Sequence, residues 1–145
     1  MSAPTLRILI AFFLIAHGWM HYSLTTVPVP APGALRTPFW PSWWRDAVDA
    51  KWLASQMGLS AGLVRTAGWI LWLATVVGFT LAGLGLSGLP GFQAIWQAAA
   101  VFGAVASLLL LGFYWHPWLV LGVVINAAVL VSLWQQWPSA LFTFN

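Results

Sequence analysis

His17 and His21 stand four residues apart in the run LRILIAFFLIAHGWMHYSL, so a helix through it puts both imidazoles on one face. The third histidine, His116, sits before Pro117. Several chemistries use such groups. Two imidazoles at this spacing chelate one metal ion if His116, Asp46 or Asp49 completes the shell. A haem requires His17 or His21 to oppose His116 at equal depth. A lipid or quinone-like pocket needs less: His17 or His21 with Arg65 on a carbonyl oxygen, and Trp69 and Trp72 on the ring, since such sites are apolar with few polar groups. The fourth reading is structural, with the histidines as polar links between helices. Three histidines are too few for a di-iron membrane hydroxylase. Ser23, Ser42, Ser55 and Ser60 lack a GxSxG elbow, and no Walker motif or dinucleotide fingerprint is present.

The elements that must position these residues follow from charge. The 145 residues carry five Lys/Arg and two Asp/Glu, with 61% hydrophobic and 5% charged side chains. Soluble domains carry about 25% charged residues. Six of the seven charges lie between Arg36 and Arg65, and the 80 residues from Thr66 to Asn145 contain none. Charged side chains supply most of a soluble surface's hydration, so the expected class is a polytopic membrane protein. The net charge of +3 forms no clustered basic patch of the kind that binds nucleic acid. Without cysteine, disulfides, Fe–S clusters and thiol redox chemistry borne by this chain are excluded.

Hydropathy and breakers predict four spans, at about residues 6–24, 61–86, 92–115 and 117–137, within one membrane domain covering 1–145. The first also has the charge and apolar run of a secretory signal. His17, Trp19 and His21 stand where a small-residue cleavage site belongs, so a retained span is expected. Residues 25–60 form the long connection. Five prolines interrupt its first part, and Trp43–Met57 reads as a short helix capped by Ser42 and stopped by Gly58. Trp44, Val48 and Trp52 recur on one side of it, while Arg45, Asp46 and Asp49 lie largely elsewhere, the pattern of an amphipathic helix in the membrane interface. The fold class expected is therefore all-α: a transmembrane four-helix bundle with an interfacial helix between spans one and two.

Short connections make neighbouring spans antiparallel. His17, His21, Arg36, the Arg45–Lys51 cluster, Arg65 and His116 then share one end, and Arg7 lies with the termini at the other. Four Lys/Arg against one favours a cytoplasmic polar loop. Arg65 either snorkels to headgroups or pairs with Asp46 or Asp49. Asn126, near the middle of span four, needs a partner on another helix. Gly78 and Ala82, with Gly83 and Gly85, and Ala99, Gly103 and Ser107 supply small-residue seams for close packing. Trp96, Trp115, Trp118, Trp134 and Trp137 fall near span ends, where indoles occupy the interface. No sequence repeat supports an inverted-repeat transporter.

Arg7, the run ending in His17-Gly18-Trp19-Met20-His21, a loop and three closely spaced spans together resemble the DoxX-like family of small four-helix prokaryotic membrane proteins, whose DoxD type is linked to thiosulfate:quinone oxidoreductase. Phe113-Tyr114-Trp115-His116-Pro117-Trp118 followed by Leu119-Val120-Leu121-Gly122 is similar to a segment of that group. The resemblance implies the fold, a multi-pass place in a prokaryotic cell membrane and a redox-associated role. Asn126 stands where such relatives carry an acidic residue, which weakens any carry-over of ion-linked chemistry. The function expected is an accessory or ligand-binding protein, taking a lipid or quinone-like molecule, without catalysis of its own. The alternative is a redox subunit with metal or haem on His17, His21 and His116. The bilayer is the first partner expected, with a second membrane protein or another copy of the chain as further candidates.

Overall fold

The computed structural model describes residues 2–22, 58, 60–115 and 119–144, apart from the side chains at 61 and 64. Arg36, Arg45, Asp46, Asp49, Lys51, His116 and the expected Trp43–Met57 helix lie outside the described residues. Among those described there are four α-helices and one 3-10 turn, with no strand. They are α1 (Ala3–Met20), α2 (Ala61–Leu86), α3 (Trp96–Phe113) and α4 (Val120–Gln135), followed by the turn Ser139–Leu141. Three are long and apolar enough to cross a membrane: Ala3–Met20, Arg65–Leu86 and Trp96–Phe113. The described residues are thus all-helical, with the apolar helices of a membrane protein. Helix α4 is equally apolar but has 16 residues, a rise of about 24 Å.

Local chemistry explains where the helices begin and end. Helix α1 starts earlier than the hydropathy suggests because Ser2 caps it, accepting from the Thr5 amide at 3.4 Å, and Pro4 occupies the first turn, where no hydrogen bond is lost. Ser60 caps α2 in the same way through the Leu63 amide at 3.3 Å. Helix α3 starts at Trp96 and not at Phe92. Gly88 and Gly91 adopt φ of +94° and +86°, a region open to glycine, and with Pro90 they wind residues 87–95 into successive turns. Helix α4 stops at Gln135, short of Trp137, because Gln136 turns left-handed at φ 52° and the Ser132 hydroxyl donates to the Trp137 carbonyl.

The pairing of close approaches establishes antiparallel order. Gly68 lies against Tyr114, Gly78 against Gly103 and Gly85 against Trp96, so α2 and α3 run oppositely. Gly18 meets Thr75, Val76 and Phe79, and Gly83 meets Ala11 and Ile15, which sets α1 against α2. Gly122 meets Leu111, and Asn126 meets Ser107, which sets α3 against α4. At the α2–α3 crossing the backbones touch: a Cβ on Gly78 would stand 2.6 Å from Gly103 N and Cα. The small-residue seams expected from sequence are these crossings.

Two apolar clusters fill the bundle. One gathers Trp72, Val76, Leu110, Leu111, Tyr114 and Leu119 toward the His21 end. The other gathers Ala11, Leu14, Phe79, Ala82, Leu86, Trp96, Ala100, Ala104 and Leu141 toward the termini. Leu141 belongs to it because the C-terminal segment folds back across that end. Phe142 packs on Trp96 with ring centres 5.3 Å apart. Arg7 donates to the Thr143 carbonyl at 2.6 Å and stands 4.8 Å from the Phe144 ring centre. Trp96 thus sits at a helix end as expected, yet it is buried under the tail and not at a lipid–water boundary. Trp115, Trp134 and Trp137 are exposed, as interfacial indoles should be.

The tail contact gives a direct test. Arg7→Ala removes a charge-assisted hydrogen bond and a cation–π contact, at a cost of about 1 kcal/mol for a half-buried group. The expected result is faster release of residues 138–144 by carboxypeptidase and a changed Trp96 emission, with the helical circular dichroism signal retained.

Candidate functional site

One turn before the end of α1, a buried polar group interrupts the apolar interior. His17, His21, Ser107 and Asn126 are all buried, Ser107 and Asn126 completely. They come from α1 and its C-terminal cap, α3 and α4. Their hydrogens can be assigned from the geometry. His21 Nδ1 lies 2.8 Å from the His17 carbonyl, which only accepts, so Nδ1 carries the proton. In the neutral ring Nε2 is then an acceptor, and the Ser107 hydroxyl donates to it at 2.7 Å. The Ser107 oxygen in turn accepts from Asn126 Nδ2 at 2.8 Å, and the same amide group donates to the Gly122 carbonyl at 2.7 Å. The chain of bonds joins three helices and fixes the orientation of the Asn126 amide.

Two atoms of this group have no hydrogen-bond partner among the described residues: His17 Nε2 and Asn126 Oδ1. The two side chains are near enough to influence each other, but these atoms do not meet in hydrogen-bond geometry. His17 is held by aromatic contacts instead. Phe13 stacks on it at 6.0 Å, and its edge contacts with His21 and Phe79 are at 4.8 and 5.4 Å.

A second cluster lies beside the first, at the boundary of the bundle. Trp72 contacts Trp19 at 5.7 Å, Tyr22 at 5.2 Å and Trp69 at 5.3 Å, and Tyr22 also meets Trp69 at 6.0 Å. Trp72 is buried, while Trp19, Tyr22 and Trp69 are 54%, 47% and 40% exposed. The rings of Trp72 are therefore covered by other protein rings, and the outer three remain partly exposed. Trp72 Nε1 is buried and has no hydrogen-bond partner among the described residues. Arg65 is one helical turn before Trp69 on the same side of α2, and it is exposed. Exposure matches the snorkelling reading of Arg65; the alternative partners Asp46 and Asp49 lie outside the described residues.

The sequence-derived candidates thus divide. His17 and His21 enter an interior polar group, whereas Arg65, Trp69 and Trp72 form an aromatic edge with Trp19 and Tyr22. His116 lies outside the described residues. Asn126 finds its expected partner on another helix, and the partner is Ser107. That serine reads in the sequence only as a small seam residue. The available signal was its i+4 spacing from Gly103, which lies against α2, and this spacing does not point to α4.

For a metal, the arrangement is mixed. His17 Nε2 is free among the described residues, but His21 Nε2 is engaged by Ser107, so His21 would have to lose that bond to ligate. No group of three His, Cys, Asp or Glu gathers among the described residues. No family model, no curated protein and no solved structure matches the chain.

Proposed function

We propose that this chain is a small multi-pass membrane protein of the DoxX-like type, resident in a prokaryotic cell membrane. In this reading it binds an amphipathic lipid or quinone-like molecule at the end of the bundle that holds His17, His21 and Arg65, and it has no catalytic activity of its own. The observation that carries the reading is the Trp72 indole. Its N–H is buried, the indole is packed against the side chains of Trp19, Tyr22 and Trp69, and the N–H has no hydrogen-bond partner among the described residues. An unmet donor in a dry site costs about 1–3 kcal/mol, and a ligand oxygen at that point recovers it. The half-exposed faces of Trp19, Tyr22 and Trp69 offer the flat apolar surface for the rest of such a molecule, and Arg65 stands a turn away for a carbonyl or headgroup oxygen.

Trp72→Phe keeps an aromatic ring and deletes the donor. The expected outcome is about tenfold weaker retention of native lipid or added quinone by the purified protein, measured by mass spectrometry of the extracted ligand. Retention unchanged in a folded Trp72→Phe protein would falsify the reading. The competing reading places metal or haem on His17, His21 and His116, and the free Nε2 of His17 favours it. An absorption spectrum with metal analysis decides between them: a Soret band, or one stoichiometric metal lost in His17→Ala, establishes the redox reading.

A further inference from the structure

The residues at the end of α1 turn to different neighbours. Gly18 faces α2, where a Cβ would meet Phe79, Thr75 and Val76 at 3.3 to 3.4 Å. Trp19 and Tyr22 pack on Trp72, with ring centres 5.7 and 5.2 Å away, and Tyr22 also reaches Trp69. His17 and His21 turn inward and are buried. One short stretch therefore carries part of the interior polar group and half of the aromatic edge.

His21 joins the two. Its backbone N–H goes to the Gly18 carbonyl at 3.4 Å. The His17 carbonyl at the helix end is met by His21 Nδ1, 2.8 Å away. The other ring nitrogen, Nε2, lies 2.7 Å from the Ser107 hydroxyl of α3. One imidazole thus closes the end of α1 and ties it to another helix, whichever atom of the Ser107 pair donates. Extensive packing joins α1 to α2 and α2 to α3, but not α1 to α3 directly. A buried polar group with its bonds made specifies one arrangement. Trp19 and Tyr22, about half exposed, have less to fix them.

We infer that His21 is the positioning residue of the aromatic edge. By fixing the end of α1 to Ser107, it holds Trp19 and Tyr22 against Trp69 and Trp72, and the edge retains its amphiphile only with those rings in place. The last clause rests on the ligand-binding reading; the placement of the rings stands without any ligand.

The test is fluorine NMR of the whole protein in lipid nanodiscs, labelled with 5-fluorotryptophan and assigned by single Trp→Phe substitutions. Retention of native lipid or added quinone is measured on the same samples. His21→Leu removes both ring bonds and keeps the site apolar. Its Trp19 and Trp72 signals are expected to shift, while those of Trp96 and Trp134, toward the other end of the bundle, hold their positions. Ligand retention is expected to fall about tenfold. His21→Gln, long enough to bring an amide oxygen to the Ser107 hydroxyl, is expected to restore both readouts. Ser107→Ala leaves α1 intact and is expected to shift the same two signals, so it decides the matter if His21→Leu does not fold. Unchanged Trp19 and Trp72 signals in folded His21→Leu or Ser107→Ala overturn the inference. So do equal shifts at Trp96 and Trp134, which mark general loosening, and His21→Gln spectra that match His21→Leu. Shifted signals with wild-type ligand retention overturn the link to binding. A wild type that retains no ligand defeats the ligand-binding reading alone, and the spectra still decide whether His21 holds the rings.

Discussion

Gly78→Leu is expected to abolish or severely weaken the fold. The reason lies in what the new side chain meets. Its Cβ alone would fall 2.6 Å from Gly103 N and Cα and 3.0 Å from the Ala99 carbonyl oxygen, all of them backbone atoms. A flexible side chain can move aside; a helix backbone moves only as a unit. Helices α2 and α3 must separate, and the separation strips contacts from Phe79, Ala100 and Ala104, which are buried between them and α1. Overpacking of a tight core costs about 1–3 kcal/mol where neighbours can adjust, and this site exceeds that range because none of the contacted atoms can. Without a hydrophobic driving force between helices in lipid, such packing is what holds them together. The measurement is thermal unfolding in detergent, followed by circular dichroism and by monodispersity on size exclusion. Gly112→Ala is the control: nothing lies within 4 Å of a Cβ there, so stability should stay within about 0.5 kcal/mol of wild type. Similar losses in both variants would refute the backbone-contact account.

The contrast between these two glycines also marks where sequence reasoning reaches its limit. Absence of charge over 80 residues fixes the solvent as lipid, and in lipid every backbone group must be satisfied within a helix. Four helices and their antiparallel order follow from that and from short connections. Spacing such as Gly78–Ala82 or Ala99–Gly103 identifies seams, but not which glycine touches backbone, because that depends on the crossing point of two helices. Some helix ends were legible from hydropathy, as at Ala61, where the structure adds the Ser60 cap. Others were missed where consecutive turns displaced the start, as in the Gly88–Gly91 segment before Trp96. Trp96 shows the same limit in tertiary form: its position near a span end is readable, while its burial depends on the return of the C-terminal segment, which has no periodicity to announce it.

The candidate site was legible in one half only. The i, i+4 histidines and the need for an Asn126 partner both follow from helix geometry and the cost of a lone amide in hydrocarbon. The identity of the partner does not, since it requires the relative height of α3 and α4. The rotation of α1 was equally unreadable, and it is this rotation that separates His17 and His21 from the aromatic edge holding Trp69 and Trp72.

Ser107→Ala is the second substitution expected to have a large effect, and its consequences go beyond one lost bond. Interhelical hydrogen bonds in membranes average about 0.6 kcal/mol because the unfolded helices find other partners. Ser107, however, is both donor to His21 and acceptor from Asn126, and it is completely buried with them. Alanine strands an acceptor on α1 and a donor hydrogen on α4 at once. A stranded buried group costs about 1–3 kcal/mol, so the expected loss is about 2 kcal/mol, larger than either bond alone would suggest. The double-mutant cycle distinguishes the two accounts. If Ser107 acts as a link, Ser107→Ala combined with Asn126→Leu should cost less than the two single losses added, because the leucine removes the donor that the alanine strands. If each residue acts alone, the losses add. Nitrogen NMR of the His21 ring gives an independent readout: the Nδ1–H tautomer should persist in Ser107→Ala, held by the His17 carbonyl, while the Nε2 resonance moves toward that of a nitrogen without a hydrogen bond. An Nε2–H tautomer in the wild type would reverse the direction of the Ser107 bond and make the Ser107 oxygen an acceptor from both His21 and Asn126.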